Sequence, residues 1–380
     1  MEMNLPLWIY YVLGFPLLLG PLVTIHELGH YLVGRWFGVH AEAFSVGFGR
    51  EIWGFTDKRG TRWKLSALPL GGYVQFKGDM NPASIPDPDA AAQASAEERA
   101  GSFHHAALWK RALIVFAGPA TNILLTLAIF AGFFTLYGKP VPGDAAEQLT
   151  VAEFAEISPA RAAGIEVGDR IVAIEGERME DFRDVQDSIM LYPGRTLDVT
   201  VERDGAERIF EVPVRSVEME DRFGNVSKVA LIGIASGATS FDFEPQGPVA
   251  ALGLAVDHSL GIVDMMVTGI GQIFTGERSV QELGGPVKIA KFSGEQLSLG
   301  AMAFINFAAL ISLNLAFINL LPIPALDGGH LAFYAAEAVR RKPVGPRGTE
   351  VAYRAGVALV LMLMVFVTIN DLVSLPIFGR

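Results

Sequence analysis

Cysteine is absent from the 380 residues. Disulfides, thiolate metal sites and a cysteine nucleophile are therefore excluded, and any metal must be held by His, Asp or Glu. Charge is also scarce: charged residues make up 19% of the chain against 51% hydrophobic, with a mean hydropathy of +0.36. Such a chain is too apolar for an ordinary soluble enzyme and too long for one domain. A basic excess is missing, since the net charge is −11, so nothing draws the chain to nucleic acid. Nucleophile motifs are missing too. The G-x-x-x-G-D run from Gly164 to Asp169 lies in a polar stretch, which argues against an intramembrane aspartyl protease, and His258-Ser259 has no glycine elbow around it. The first apolar run has neither a basic leader nor a small-residue cleavage site, so it is expected to be a retained span.

What the chain has instead is long apolar runs. Residues 8–33, 107–137, 303–338 and 355–378 each hold the roughly 20 apolar residues that cross a bilayer, giving four expected spans. A weaker run at 249–275 contains Asp257, His258 and Asp264 and is expected as helices on or near the membrane surface. Arg340, Arg341, Lys342, Arg347 and Arg354 crowd one connection, and Arg35, Lys110 and Arg111 bound another, so both should be cytoplasmic. The acidic 139–300 segment then lies on the opposite side, its acidity read as a solvated surface.

His26-Glu27-Leu28-Gly29-His30 reads H-E-x-x-H inside the first apolar run. On a helix, residues i and i+4 share a face, so both imidazoles can reach one zinc ion while Glu27 stands beside the water that such an ion activates. A catalytic zinc takes a third protein ligand. Asp327, in Leu326-Asp327-Gly328-Gly329-His330, supplies a carboxylate within another apolar run, with two glycines that permit close helix approach. His330 is read as supporting the site rather than ligating. Asn314, Asn319, Pro322 and Pro324 precede that motif; the prolines interrupt the span, and the asparagines either line a groove or pack helices. Gly118, Pro119 and Asn122 suggest tight packing in the second span.

Between the spans, residues 44–78 are short, aromatic and glycine-punctuated, which predicts β-hairpins with a turn at Asp57 to Gly60. Residues 81–102 predict a mobile loop. Over 150–215 strand and helix signals alternate: a helix capped by Ser158, an amphipathic helix over Asp181 to Leu191, and a hairpin around Asp204-Gly205. A single α+β module is expected.

Together these motifs resemble the site-2 protease family of zinc intramembrane metalloproteases, most closely its bacterial regulator-of-sigma-E branch. The resemblance rests on His26-Glu27-Leu-Gly-His30, Ala117-Gly-Pro with Asn122, Asn319-Leu-Leu-Pro-Ile-Pro and Leu326-Asp327-Gly-Gly, and it runs nearly the whole length. It implies a polytopic α-helical membrane protein of about four transmembrane helices, with a membrane-associated β-hairpin region and one periplasmic α+β PDZ domain. The implied division is a first transmembrane helix at 1–38, β-region and cytoplasmic loop at 39–106, second helix at 107–138, PDZ domain at 139–225, linker and amphipathic helices at 226–302, third segment at 303–340, and cytoplasmic loop with fourth helix at 341–380. The best-known member has two PDZ domains, where this chain has room for one.

The resemblance further implies one catalytic Zn2+ on His26, His30 and Asp327, with Glu27 as general base. Substrate contacts would come from Asn314, Asn319, Pro322, Pro324, Gly71 and Gly72, the glycines lying in a hairpin to which an extended substrate adds as a strand. Implied partners are the lipid bilayer and single-pass membrane proteins already cut once, of anti-sigma-factor type, or remnant signal peptides; peptide termini are expected at the PDZ domain. The expected location is the bacterial inner membrane, with the active site towards the cytoplasm. Two other readings remain open, a non-catalytic scaffold built on the PDZ domain and a membrane prenyl-protein peptidase. A scaffold has no use for Glu27.

Overall fold

In the computed structural model, residues 6–78, 99–142, 148–220, 226–236, 241–276, 280, 284–342 and 345–374 are described; the loop expected at 81–102 falls, up to residue 98, outside them. The chain divides into two units, one of residues 1–130 with 283–380 and one of residues 131–282.

The first unit begins with α1 (Leu7–Trp36), a 30-residue apolar helix that carries the H-E-x-x-H. After it, β1 (Ala41–Thr56) and β2 (Arg62–Phe76) form a ribbon closed by the expected turn. Asp57 organises that turn: the Trp63 indole donates to its carboxylate at 3.1 Å and the N–H groups of Arg59 and Thr61 donate at 2.8 and 3.0 Å. These bonds, the Trp63 one foremost, hold the carboxyl below the usual range. Both strands bend back on themselves, so residues 43–46 lie between 72–75 and 62–65, and 62–65 also pairs with 53–56. Gly47, at φ +91°, helps make the bend, and a Cβ there would meet the Leu68 carbonyl at 2.7 Å. Residues 72–76 are left on the outside of the ribbon. Phe48, Ile52, Trp53 and Phe55 stay exposed, an apolar surface on this element.

Helix α2 (Leu108–Tyr137) packs against α1 where glycine removes the obstacle: a Cβ on Gly29 would stand 2.4 Å from the Ala117 carbonyl oxygen. It continues past residue 130 into the second unit. There follow β3 (Lys139–Pro142), β4 (Val151–Phe154), α3 (Pro159–Ala163), β5 (Arg170–Ile174), β6 (Glu177–Arg178), α4 (Phe182–Leu191), β7 (Thr196–Arg203), β8 (Ala206–Pro213), β9 (Arg215–Glu220), β10 (Val226–Leu231), β11 (Ile234–Ser236) and β12 (Phe241–Glu244). A four-stranded sheet runs β6-β5-β7-β8, and β4 pairs with β11. Both helix caps follow the sequence. Ser158 accepts from the Arg161 N–H, and Asp181 accepts from those of Arg183 and Asp184. The core joins Val151, Ile171, Val185, Val199 and Val212 to Ile232. The module therefore reaches Ser236, beyond the boundary at 225, because the strand that closes over β4 comes late in sequence.

Helix α5 (Pro248–Thr275) closes this unit as one uninterrupted 28-residue helix, where several surface helices were expected over 249–275. By length and composition it is one of five described helices able to cross a membrane, one more than the four runs picked out above. Its Ala251, Ala255, Ser259, Ile262 and Gln272 are nevertheless buried, and Gln272 donates to the Leu191 carbonyl at the end of α4.

The first unit resumes with α6 (Pro286–Ser298), which lies on α1 through a glycine pair: a Cβ on Gly14 would meet Gly294 N at 2.6 Å. Helices α7 (Ala301–Leu320) and α8 (Asp327–Arg340) divide the segment expected over 303–340 at the interruption that its prolines announce. Pro322 and Pro324 stop α7, and Asp327 starts the next helix. Gly328 and Gly329 fold under this break, since Cβ atoms there would stand 2.3 Å from the carbonyls of Leu320 and Ile323. In α9 (Pro346–Ser374), Asp371 is fully buried and accepts from the N–H groups of Gly285, Val287 and Lys288 at 3.0–3.1 Å, capping α6 from a distant part of the chain.

Candidate active site

His26 and His30 sit one turn apart on α1 with their Nε2 atoms 3.2 Å apart. Asp327 brings Oδ2 to 3.1 Å from the first and 3.6 Å from the second. Ligands held tetrahedrally at zinc bond lengths of about 2.0–2.1 Å stand about 3.3–3.4 Å from one another. The three separations bracket that spacing. Among the described residues, these three form the His, Asp or Glu group close enough to hold a metal ion.

The hydrogen bonding points the same way. His30 Nδ1 lies 2.8 Å from the carbonyl oxygen of Ile114. A carbonyl only accepts, so Nδ1 carries the proton and, in the neutral ring, Nε2 presents its lone pair to the centre. Asp327 Oδ2, which faces that centre, is buried without a hydrogen-bond partner. His30 Nε2 and Asp327 Oδ2 thus converge as acceptors, and a divalent cation between them, reached also by His26 Nε2, satisfies both at once. The donor set of two imidazoles and a carboxylate suits zinc.

Glu27 points beside this triangle. Its Oε2 accepts from the Val74 N–H at 3.1 Å, so the outer edge of residues 72–76 faces the carboxylate. A cavity of about 400 Å³ opens there, with Gly72, Asn319, His330 and Tyr353 on its wall besides the four residues just described. Of the substrate-contact candidates, Asn319 and Gly72 line it. Gly71, Asn314, Pro322 and Pro324 stand elsewhere. Gly71 adopts φ +149° against Phe48, Asn314 is half-buried along α7, Pro322 is exposed, and the Pro324 carbonyl packs so closely on Gly356 that no Cβ fits between them.

A family model described as Peptidase family M50 matches residues 14–363. The chain belongs to peptidase family M50. Curated relatives agree in extent and kind. A protein of Agrobacterium fabrum, named as an inferred zinc metalloprotease, is 46% identical over 96% of this chain and 96% of its own length. One of Rhizobium meliloti with the same kind of name is 44% identical over 96% of each chain. The metalloprotease MmpA of Caulobacter vibrioides is 34% identical over 95% of this chain and 94% of its own. As a member of M50 the chain is a zinc metalloprotease, and its long apolar helices fit a polytopic membrane protein. Among solved structures, the PDZ domain of an SdrC-like protein from Listeria monocytogenes is 19% identical with a TM-score of 0.19, over 24% of this chain and 90% of its own.

The sequence did not single out three features of this M50 site. Val74 acts through its backbone, which leaves no side-chain signature. Tyr353 comes from a helix far along the chain. Asn122 reads in the sequence as a packing residue and as part of the family resemblance, not as a neighbour of His26, although a fully buried amide in an apolar helix is itself a signal.

Proposed function

We propose that this M50 protease cuts single-pass membrane proteins inside the bilayer, using His26, His30 and Asp327 to hold zinc and Glu27 as general base. The observation that carries this reading is the donor triangle beside Glu27, with both imidazoles on the long apolar helix α1. When bound, zinc supplies Lewis acidity to a peptide carbonyl and lowers the pKa of a coordinated water to about 7. Glu27 Oε1, the oxygen not held by Val74, takes up the proton of the attacking water and returns it to the leaving amine nitrogen. A helical substrate hides its carbonyls in its own hydrogen bonds, so it must be drawn out before it is cut. Residues 72–76 offer it an edge to pair with, and Gly72 lets that edge lie close against residues 45–46 of β1, since a Cβ would meet the Ser45 carbonyl at 2.6 Å.

The substrates fitting this site are single spans already trimmed outside the membrane, of anti-sigma-factor type or remnant signal peptides, and the α+β module takes peptide termini. Helices α1, α2, α7 and α9 cross the inner membrane, the basic loops face the cytoplasm, and the module faces the periplasm. Asp257, His258 and Asp264, charged or polar groups along α5, support leaving that helix out of the crossing set. The test is cleavage of a purified single-span substrate, together with zinc content. Glu27→Gln should keep zinc and lose cleavage; cleavage by Glu27→Gln at the unaltered rate would overturn the reading. For orientation, a cysteine placed at Asp204 should react with an impermeant reagent without opening the inner membrane.

A further inference from the structure

The residues that hold the two imidazoles in place lie on another helix, spaced one turn apart. Ile114, Gly118 and Asn122 share one face of α2 at i, i+4 and i+8. His30 and His26 share one face of α1 at the same pitch, and the two helices run in opposite senses there, with Ile114 beside His30 and Asn122 beside His26. The Ile114 carbonyl takes the Nδ1–H of His30 at 2.8 Å. The Asn122 amide lies 3.4 Å from His26 Nδ1. Between them, Gly118 leaves space for both rings: a Cβ there would stand 2.3 Å from His30 Nε2 and 2.8 Å from His26 Nε2.

Asn122 is completely buried, and its Oδ1 has no hydrogen-bond partner. Its backbone is fixed, because the carbonyl accepts from Ser312 Oγ at 2.9 Å and Thr126 Oγ1 at 3.0 Å. Within that enclosure, turning the amide about its last bond exchanges Oδ1 for Nδ2 opposite the ring. With Nδ2 opposite, the amide suits a ring protonated on Nε2, the nitrogen nearest Asp327. With Oδ1 opposite, it accepts from Nδ1–H and leaves the Nε2 lone pair free for a metal. A burial cost that would otherwise be unexplained thereby acquires a use.

We propose that Asn122 is a positioning residue for the metal: its Oδ1 accepts the Nδ1–H of His26, as the Ile114 carbonyl accepts that of His30, so that α2 sets both rings to ligate through Nε2. The proposal rests on the zinc reading given above. It assigns Gly118 the complementary role of keeping the ligand atoms unobstructed.

The test is zinc retention by the purified full-length protein against a graded chelator, read as metal content and independent of turnover, with the thermal midpoint of the metal-free protein measured alongside. Asn122→Leu removes the acceptor, and zinc should be lost at a 10- to 100-fold lower chelator concentration, roughly the usual cost of losing such a partner. Asn122→Asp keeps an acceptor and should retain zinc to within a few-fold of the unaltered chain. A residue needed only for packing would predict the reverse, since a buried carboxylate disturbs packing more than leucine does. Equal retention by Asn122→Leu and the unaltered chain would overturn the proposal, and so would equal losses in the Leu and Asp variants. If Leu prevents folding, Asn122→Ala removes the amide without adding bulk and is read in the same way. Failure of the unaltered protein to hold zinc would instead bring down the reading of the site itself, and the proposal with it.

Discussion

Two carboxylates with buried oxygens, one in each unit, are treated in opposite ways. Asp169, in the α+β module, is 1% exposed and satisfied on every side: Arg203 Nε and Nη2 each donate at 2.6 Å and the Glu166 N–H donates at 2.8 Å. Asp327, among the apolar helices, keeps an oxygen with no donor at all, aimed at two imidazole nitrogens. Burial costs both groups, and only the first recovers that cost within the protein. A carboxylate completed by its own chain is structural; one left incomplete is an opening for a cation.

The strongest test of that contrast is to remove each group. Asp327→Ala should empty the metal site and abolish cleavage, while Glu27→Gln should keep the metal and slow cleavage by about 10²- to 10⁴-fold, the usual worth of a general base. Metal analysis beside a peptide-release assay reads both. Full zinc occupancy in Asp327→Ala would erase the distinction drawn here.

Asp169→Asn should leave zinc content untouched and destabilise the module by about 3 kcal/mol, because the Arg203 guanidinium, 15% exposed, loses its buried partner. Proteolytic susceptibility or hydrogen exchange over 150–215 measures this. The pH dependence has a definite sign. Burial alone would raise the Asp169 carboxyl, but the Arg203 hydrogen bonds, the Glu166 N–H and the guanidinium charge outweigh it and hold the carboxyl below its ordinary value. Its folded pKa is therefore depressed, so its stabilisation is fully present above the unfolded value of about 4 and is lost as pH falls through the folded one. Protection of the module should decline in acid in the unaltered chain and decline less in Asp169→Asn.

Asp371 belongs with Asp169, since three backbone N–H groups complete it. Asp371→Ala should cost about 2 kcal/mol, at the upper end for a helix cap, and lower the thermal midpoint in detergent without changing zinc content. At the far end of the scale, Glu350 and Arg354 form an i, i+4 pair whose side chains are 54% and 78% exposed. Arg354→Ala should change stability by less than about 0.5 kcal/mol. A larger loss would mean that exposure is a poor guide to which carboxylates matter here.

Much of this was legible from local pattern. The pitch of His26 and His30 is a property of any helix, the turn at Asp57 and the caps at Ser158 and Asp181 need only neighbouring residues, and Asp327 stood out as a charge in an apolar run. Features that depend on distant partners were not legible. The bending of β1 and β2 that brings the Val74 N–H to Glu27 is a matter of register. Asp371 finds its donors some 86 residues away. The continuity of α5 was hidden because Asp257, His258 and Asp264 read as interruptions, whereas in a helix packed on one side only they need no apolar surroundings. The module's last strand lay beyond a stretch with no strong pattern. Prolines at 322 and 324 signalled irregular backbone correctly, but their task is to end α7 so that Asp327 can begin α8.

The matched pitch of α1 and α2 bears on how the molecule can move. Sliding one helix past the other by a fraction of a turn would pull Ile114 from His30 and Asn122 from His26 in the same stroke, and would drive the Ala117 carbonyl against the gap at Gly29. No small shear spares one contact at the expense of another. These two helices therefore travel as a single rigid pair, to which α6 is locked at Gly14 and α7 at Asn122, and the break before Asp327 supplies the nearest joint at which the chain beyond can adjust.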